Sequence, residues 1–332
     1  EVDDPEEANK FYSYQEIHEM FGDFPVTKIL EKYEYNTSDH FVISNKAYLN
    51  RLASVYTSSN LEYLKDYFYI HTILDSAKYL DRESYELADS TSRRKAELAK
   101  SKGNDEDAPD PDGDNPKDNT FNNQAASKDP YNKIGYDQLC SVAPGPVNYI
   151  YAASVCTPED KEYLIELTEN IVASHREMIL SEDWMSDEVK AKTIEKLDSI
   201  GINILYPDEY IPYDGLSLES ADNIIEIINL CKEDQYSRMT QNINKPFDRT
   251  AWNIEEITTL ASKAFYVPSR NSIFILAGIC ISDEVFNIER GKEANFGSIG
   301  TVVGHEITHA FDTNGSRYTW DGYAKKWWTN AD

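Results

Sequence analysis

The chain has 332 residues, long enough for two cores of ordinary size, and its 32 Lys and Arg against 59 Asp and Glu give a formal net charge of -27. Such a surface repels the phosphates of nucleic acid and of anionic lipid, so neither is an expected partner; its acidity serves solubility before any attraction of cationic peptides. No stretch reaches the roughly 20 apolar residues of a membrane span, and Glu1-Val2-Asp3-Asp4-Pro5 has no basic run before an apolar one, so this segment is expected neither to cross a membrane nor to begin with a signal.

The acidic start and the end at Ala331-Asp332 read as limits of a trimmed chain, which leaves export open. Cys140, Cys156, Cys231 and Cys280 have no Cys-x-x-Cys spacing, so neither a zinc ribbon nor a thioredoxin-like motif is indicated.

From Tyr12 to about Leu98, apolar and aromatic residues recur at helical spacing, as in Leu61, Leu64, Tyr67 and Phe68 followed by Ile70, Ile73 and Leu74. This predicts several packed helices with the tyrosines at their interfaces. Ser101 to Pro130 is too polar to fold alone and is expected to be a mobile excursion. Its Asp110, Asp112 and Asp114 do not make an EF-hand, because Asn115 stands where that loop needs Gly and Phe121 where it needs a bidentate Glu.

Thr157 as N-cap and Pro158 in the first turn open a helix with Leu164, Leu167 and Ile171 on its apolar face. Ser186, Asp187 and Glu188 open a second helix, striped by Val189, Thr193, Ile194 and Leu197, with Gly201 placed to end it. After Trp252, Ala264 to Val267 and Ile273 to Leu276 read as two strands around the turn Pro268-Ser269-Arg270-Asn271. Gly297 to Asp312 then suits a single helix, with Gly300 and Gly304 allowing close approach on nearly one face and Gly315 as a stop.

That helix carries His305-Glu306-Ile307-Thr308-His309. A spacing of four stacks the two imidazoles on one face, where both reach a single tetrahedral zinc at about 2.0–2.1 Å. Glu306, beside them, is placed to take a proton from a metal-activated water and pass it to a leaving amine, which is peptide hydrolysis without a covalent intermediate. Chance would give the motif on the order of one time in a hundred such chains. His18-Glu19-Met20-Phe21-Gly22 begins the same way but has Gly22 where the second ligand belongs, and His18, His40, His71 and His175 read as ordinary residues. A metzincin would need Gly at position 312 and His at 315; Asp312 and Gly315 exclude it. No Glu follows His309, so a third ligand is expected beyond Asp332 in preference to Asp312, Asp321 or Asp332. Asp312 is a candidate to support the site from just outside the ligand set.

These residues together resemble the neprilysin-type zinc metallopeptidases, including their bacterial oligopeptidase relatives. The likeness runs from Gly297 through Asp312 and on through Gly315, Tyr318, Asp321-Gly322 and Trp327-Trp328. Upstream it includes Ala264-Phe265-Tyr266, Pro268, Asn271, Ile273 and Ala277-Gly278-Ile279, with further matches back to Trp184-Met185. The resemblance implies a mainly α fold with a small β component: a large helical lobe, residues 1–230, and part of a thermolysin-like (gluzincin) α+β catalytic lobe, residues 231–332. It also implies a zinc-dependent endopeptidase with a cavity that admits oligopeptides, cleaved on the amino side of hydrophobic residues. His305 and His309 would be zinc ligands and Glu306 the base, with Ala264 giving backbone hydrogen bonds to substrate and Ile279 and Val302 as candidates for the hydrophobic pocket. Lys263 stands where the family has a substrate-gripping Asn, and Ile275-Leu276 replaces a Phe-Pro pair. Lys263 favours the alternative of an inactive, peptide-binding relative; a helical interaction protein with a structural zinc would leave Glu306 without a purpose. The expected compartment is extracellular or cell-surface rather than cytoplasmic, and the chain alone is expected to be incomplete as an enzyme.

Overall fold

The computed structural model describes residues 10–88 apart from 23, 34, 36–38, 44 and 78; residues 90 and 94; 130–210; 216–219; 221–241; 245, 246, 248, 249, 251 and 252; and 258–328. The polar excursion expected from Ser101 to Pro130 lies outside them except for Pro130. The chain forms two compact units, one of Glu1–Pro109 with Asp214–Lys245 and one of Asp110–Tyr213 with Pro246–Asp332.

In the first unit, strand β1 (Phe11–Ser13) pairs antiparallel with β2 (His40–Val42), a ribbon that the helical periodicity did not announce. Helix α1 (Tyr14–Phe21) starts at Ser13, whose hydroxyl accepts the Glu16 amide while the Glu16 carboxylate accepts the Ser13 amide. It packs on α2 (Val26–Lys32) and α3 (Lys46–Val55) around Tyr12, Ile17 and Phe21, leaving His18 exposed. The apolar run expected to pack is helical, as α4 (Leu61–Ala77), but Ala77 is its one buried residue; Tyr67, Phe68, Ile70 and Ile73 are exposed. Periodicity fixed the helix there and did not supply a surface to cover it.

The second unit begins with α5 (Pro130–Val142) and α6 (Pro144–Val155). The expected caps are in place: Thr157 and Asp160 form a reciprocal capping box at the start of α7 (Pro158–Ser181), and the Ser186 hydroxyl accepts the Val189 amide at the start of α8 (Asp187–Asp198). Gly201 is not a helix stop. Helix α8 closes at Ser199, and Gly201 opens strand β3 (Gly201–Leu205), where an added Cβ would lie 2.2 Å from the Ser272 hydroxyl of the neighbouring strand. After it, α9 (Ile224–Gln241) belongs to the first unit.

Strands β4 (Ala264–Val267) and β5 (Ser272–Leu276) form the expected hairpin in a sheet of order β3-β5-β4, with β3 parallel and β4 antiparallel to the wholly buried β5. At the turn, Asn271 takes a positive φ of 48°, which Asn tolerates, and its side chain accepts from Tyr266 Oη and donates to the Lys196 carbonyl. The single helix expected over 297–312 is instead two: α10 (Lys292–Gly297) and α11 (Ile299–Thr308), broken at Ser298 and ended at His309. The early end has a local cause, since the Asp312 carboxylate accepts the amides of Asn314 and Gly315 and draws the chain into a turn. Helix α11 packs on α7 and on the β4–β5 hairpin. Gly300 and Gly304 meet α7, with Ile171 3.5 Å and 3.8 Å from where their Cβ atoms would stand.

Candidate active site

Ile299, Val303, Ile307 and Ala310 form the buried stripe of α11 and its cap, and Glu306 beside them is only 3% exposed. His305 is exposed and His309 half-buried on the adjoining face. Their Nε2 atoms lie 2.9 Å apart. His309 Nδ1 donates to Asp312 Oδ2 at 2.7 Å, which keeps the ring proton on Nδ1 and leaves the Nε2 lone pair facing His305. Two imidazole nitrogens converging in this way suit a borderline-soft divalent cation such as zinc. Among the described residues, no third His, Cys, Asp or Glu completes a metal-holding group with them. Asp321 accepts from the Thr319 hydroxyl within its own turn, and Asp332 lies outside the described residues.

Asp312 is itself anchored. Burial would raise its carboxyl, but the His309 ring and the Gly315 and Asn314 amides outweigh that and hold it below the ordinary carboxylate value. Behind it stands Lys196 of α8, 1% exposed, whose Nζ donates to the Gly315 and Tyr318 carbonyls at 2.6 Å each and lies 5.9 Å from the Trp327 ring. Burial pulls this amine down to about 7, against the opposing pull of Asp312. Gly315 has a tighter constraint than that of a helix stop, because a Cβ there would lie 1.9 Å from the His309 carbonyl oxygen. Lys196 was not among the residues singled out from the sequence, although a lysine beside the stripe of Val189, Thr193 and Leu197 was a visible signal.

The candidate substrate residues fall in two places. The Lys263 carbonyl accepts the Leu276 amide at 3.0 Å, so residues 263 and 276 form a hydrogen-bonded pair, and alternation turns the Ala264 backbone N–H and C=O away from β5, toward the sheet edge. Among the described residues no strand lies beyond β4. Ile279, 4% exposed, belongs to the main core, and Val302 packs half-buried against it. His175 sits on α7 with its Nδ1 on the Ile171 carbonyl, close to Gly304.

Sequence models described as peptidase family M13 match residues 1–207 and 263–332. Neprilysin-11 of Caenorhabditis elegans is 34% identical over 198 residues, covering 58% of this chain and 23% of that protein. The neutral endopeptidase of Lactobacillus helveticus is 28% identical over 215 residues, covering 63% of this chain and 33% of its own. The zinc metalloprotease ZMP1 of Mycobacterium tuberculosis, solved in an open state, shares the fold with a TM-score of 0.73 at 22% identity, covering 99% of this chain and 46% of that one. The chain thus spans less than half the length of these three proteins. It belongs to peptidase family M13, a family of metalloendopeptidases, and has the mainly α fold with a small sheet that its relatives show.

Proposed function

We propose that the intact protein of this M13 chain is a zinc-dependent endopeptidase that cuts oligopeptides on the amino side of hydrophobic residues. The observation that carries this reading is the convergence of His305 and His309 Nε2 beside Glu306, with Asp312 fixing the His309 tautomer. His305 and His309 would hold the metal, and the third protein donor usual at catalytic zinc would come from outside the described residues. When bound, zinc would supply Lewis acidity to activate water and polarise the scissile carbonyl. Glu306 takes the proton from the attacking water and returns it to the leaving amine. Ala264 receives the peptide as an added strand, through backbone groups whose direction does not depend on the Lys263 side chain. Ile279 and Val302 would act by shaping the pocket wall from the core. An extracellular or cell-surface compartment belongs to the same reading; no helix among the described residues is long and apolar enough to cross a membrane.

Glu306→Gln in the intact protein tests the mechanism. An amide cannot accept the proton, so turnover of a quenched oligopeptide should fall by roughly 10²–10⁴-fold while zinc content stays unchanged. Turnover within about tenfold of wild type would remove Glu306 as the base. An inactive peptide-binding relative would bind the peptide and leave it whole in both forms.

A further inference from the structure

Two of the four cysteines come together between α6 and the segment that follows β5. Cys156 is the C-cap of α6, and Cys280 lies in the 3₁₀ helix Ala277–Ile281 that follows the central strand β5. Helix α6 packs on this 3₁₀ helix, and both cysteines are half-buried against the same hydrophobic cluster. The Cys280 thiol lies within hydrogen-bond reach of the Cys156 sulfur, which itself is 3.1 Å from the Ala152 carbonyl. The other end of α6 is held to the same frame: Asn148 Oδ1 accepts the Thr259 amide at 2.9 Å, and the Thr259 carbonyl accepts the Gly278 amide at 3.0 Å.

We propose that Cys156 and Cys280 are a redox-active pair that closes to a disulfide and clamps α6 to the turn after β5. The two thiols are unequal in a way that orders the steps. The hydrogen bond from Cys280 holds Cys156 below the ordinary thiol value despite burial and raises Cys280 itself, whereas burial raises Cys140 and Cys231. The Cys156 thiolate attacks one sulfur of a low-molecular-weight disulfide such as oxidised glutathione, forming a mixed disulfide and expelling one thiolate. Cys280 then loses its proton and attacks the Cys156 sulfur, forming the protein disulfide and releasing the second small thiol. Two protein thiols are oxidised by two electrons, and one small disulfide is reduced to two thiols. The long chain segment between the two residues makes the closed form stabilising through lost freedom of the unfolded chain.

The test uses the 332-residue chain in glutathione buffers of graded oxidation, with alkylation and peptide mapping under non-reducing conditions. Four reactive thiols should fall to two, with a Cys156–Cys280 cross-linked peptide that dithiothreitol removes and a melting temperature about 5 °C or more above the reduced form. Cys280→Ser should trap one glutathione on Cys156, and Cys156→Ser should leave Cys280 unmodified on the same timescale. Four persistent thiols, a different pairing, or a cross-link without the rise in melting temperature would overturn the clamp. Should either serine variant fold poorly, the wild-type map and melt still decide.

Discussion

Helices α4 and α7 are both long and both carry recurrent apolar residues, yet α4 leaves Tyr67, Phe68, Ile70 and Ile73 exposed while α7 buries Leu164, Leu167 and Ile179. Helix α7 is covered on several sides, since α8, β3 and α11 all pack on it. Among the described residues, the one regular element with substantial packing on α4 is the short 3₁₀ helix Ser58–Asn60. An apolar period therefore makes a helix amphipathic, but stability is gained only where another element presents a complementary face.

Substitutions in the two regions should separate sharply. The largest effect is expected in the sheet beneath α11, where Phe274 is fully buried, 5.2 Å from the Phe265 ring and 5.5 Å from Trp252. Phe274→Ala should cost about 3–5 kcal/mol, read from the urea midpoint and slope. Next comes Gly315→Ala, whose Cβ has no room beside the His309 carbonyl. Since the same turn carries Asp312, zinc affinity measured against a chromophoric chelator should fall about 10–100-fold. Gly297→Ala, with nothing within 4 Å of its Cβ, is the control and should leave affinity unchanged.

Much of the dense region was legible in the sequence because its signals are local. Thr157 and Ser186 announced their helices through capping chemistry, and Pro268 to Asn271 announced a hairpin through turn chemistry. The spacing of His305 and His309 anticipated the meeting of their Nε2 atoms. What escaped depends on partners distant in the chain. Strand β3 is defined by its parallel pairing with β5, some seventy residues later, and its leading Gly201 looked like a helix stop. The burial of Lys196 depends on the Gly315 and Tyr318 carbonyls, more than a hundred residues later in the chain. The exposure of α4 escaped for the opposite reason, as its pattern gave no sign of whether a partner would cover it.

Lys196 gives a smaller, pH-dependent contrast. Its folded value of about 7 lies below the ordinary 10.5, so below pH 7 both folded and unfolded chains hold the proton and the full cost of burying the charge applies. Between about pH 7 and 10.5 the unfolded chain binds more protons than the folded one, and this group's contribution to stability rises with pH. Lys196→Met should remove that rise. Melting temperatures of both forms across the window check it, and an unchanged pH slope in the variant would show that Lys196 does not carry it.

The smallest effect is expected on α4. Phe68 is 63% exposed, and its recorded ring contact is with Tyr67, its own neighbour on the helix. Phe68→Ser removes little buried area and exchanges residues of similar helix propensity, so stability should change by no more than about 0.5 kcal/mol. Thermal melts of the isolated chain measure this directly, and circular dichroism confirms that the helix persists. A loss above about 2 kcal/mol, approaching that of Phe274→Ala, would mean that α4 is covered in solution, and concentration-dependent melting would then identify a second copy of the chain as the cover. A small, concentration-independent change would establish that the two helices differ by neighbours alone, since both carry the apolar residues that burial requires.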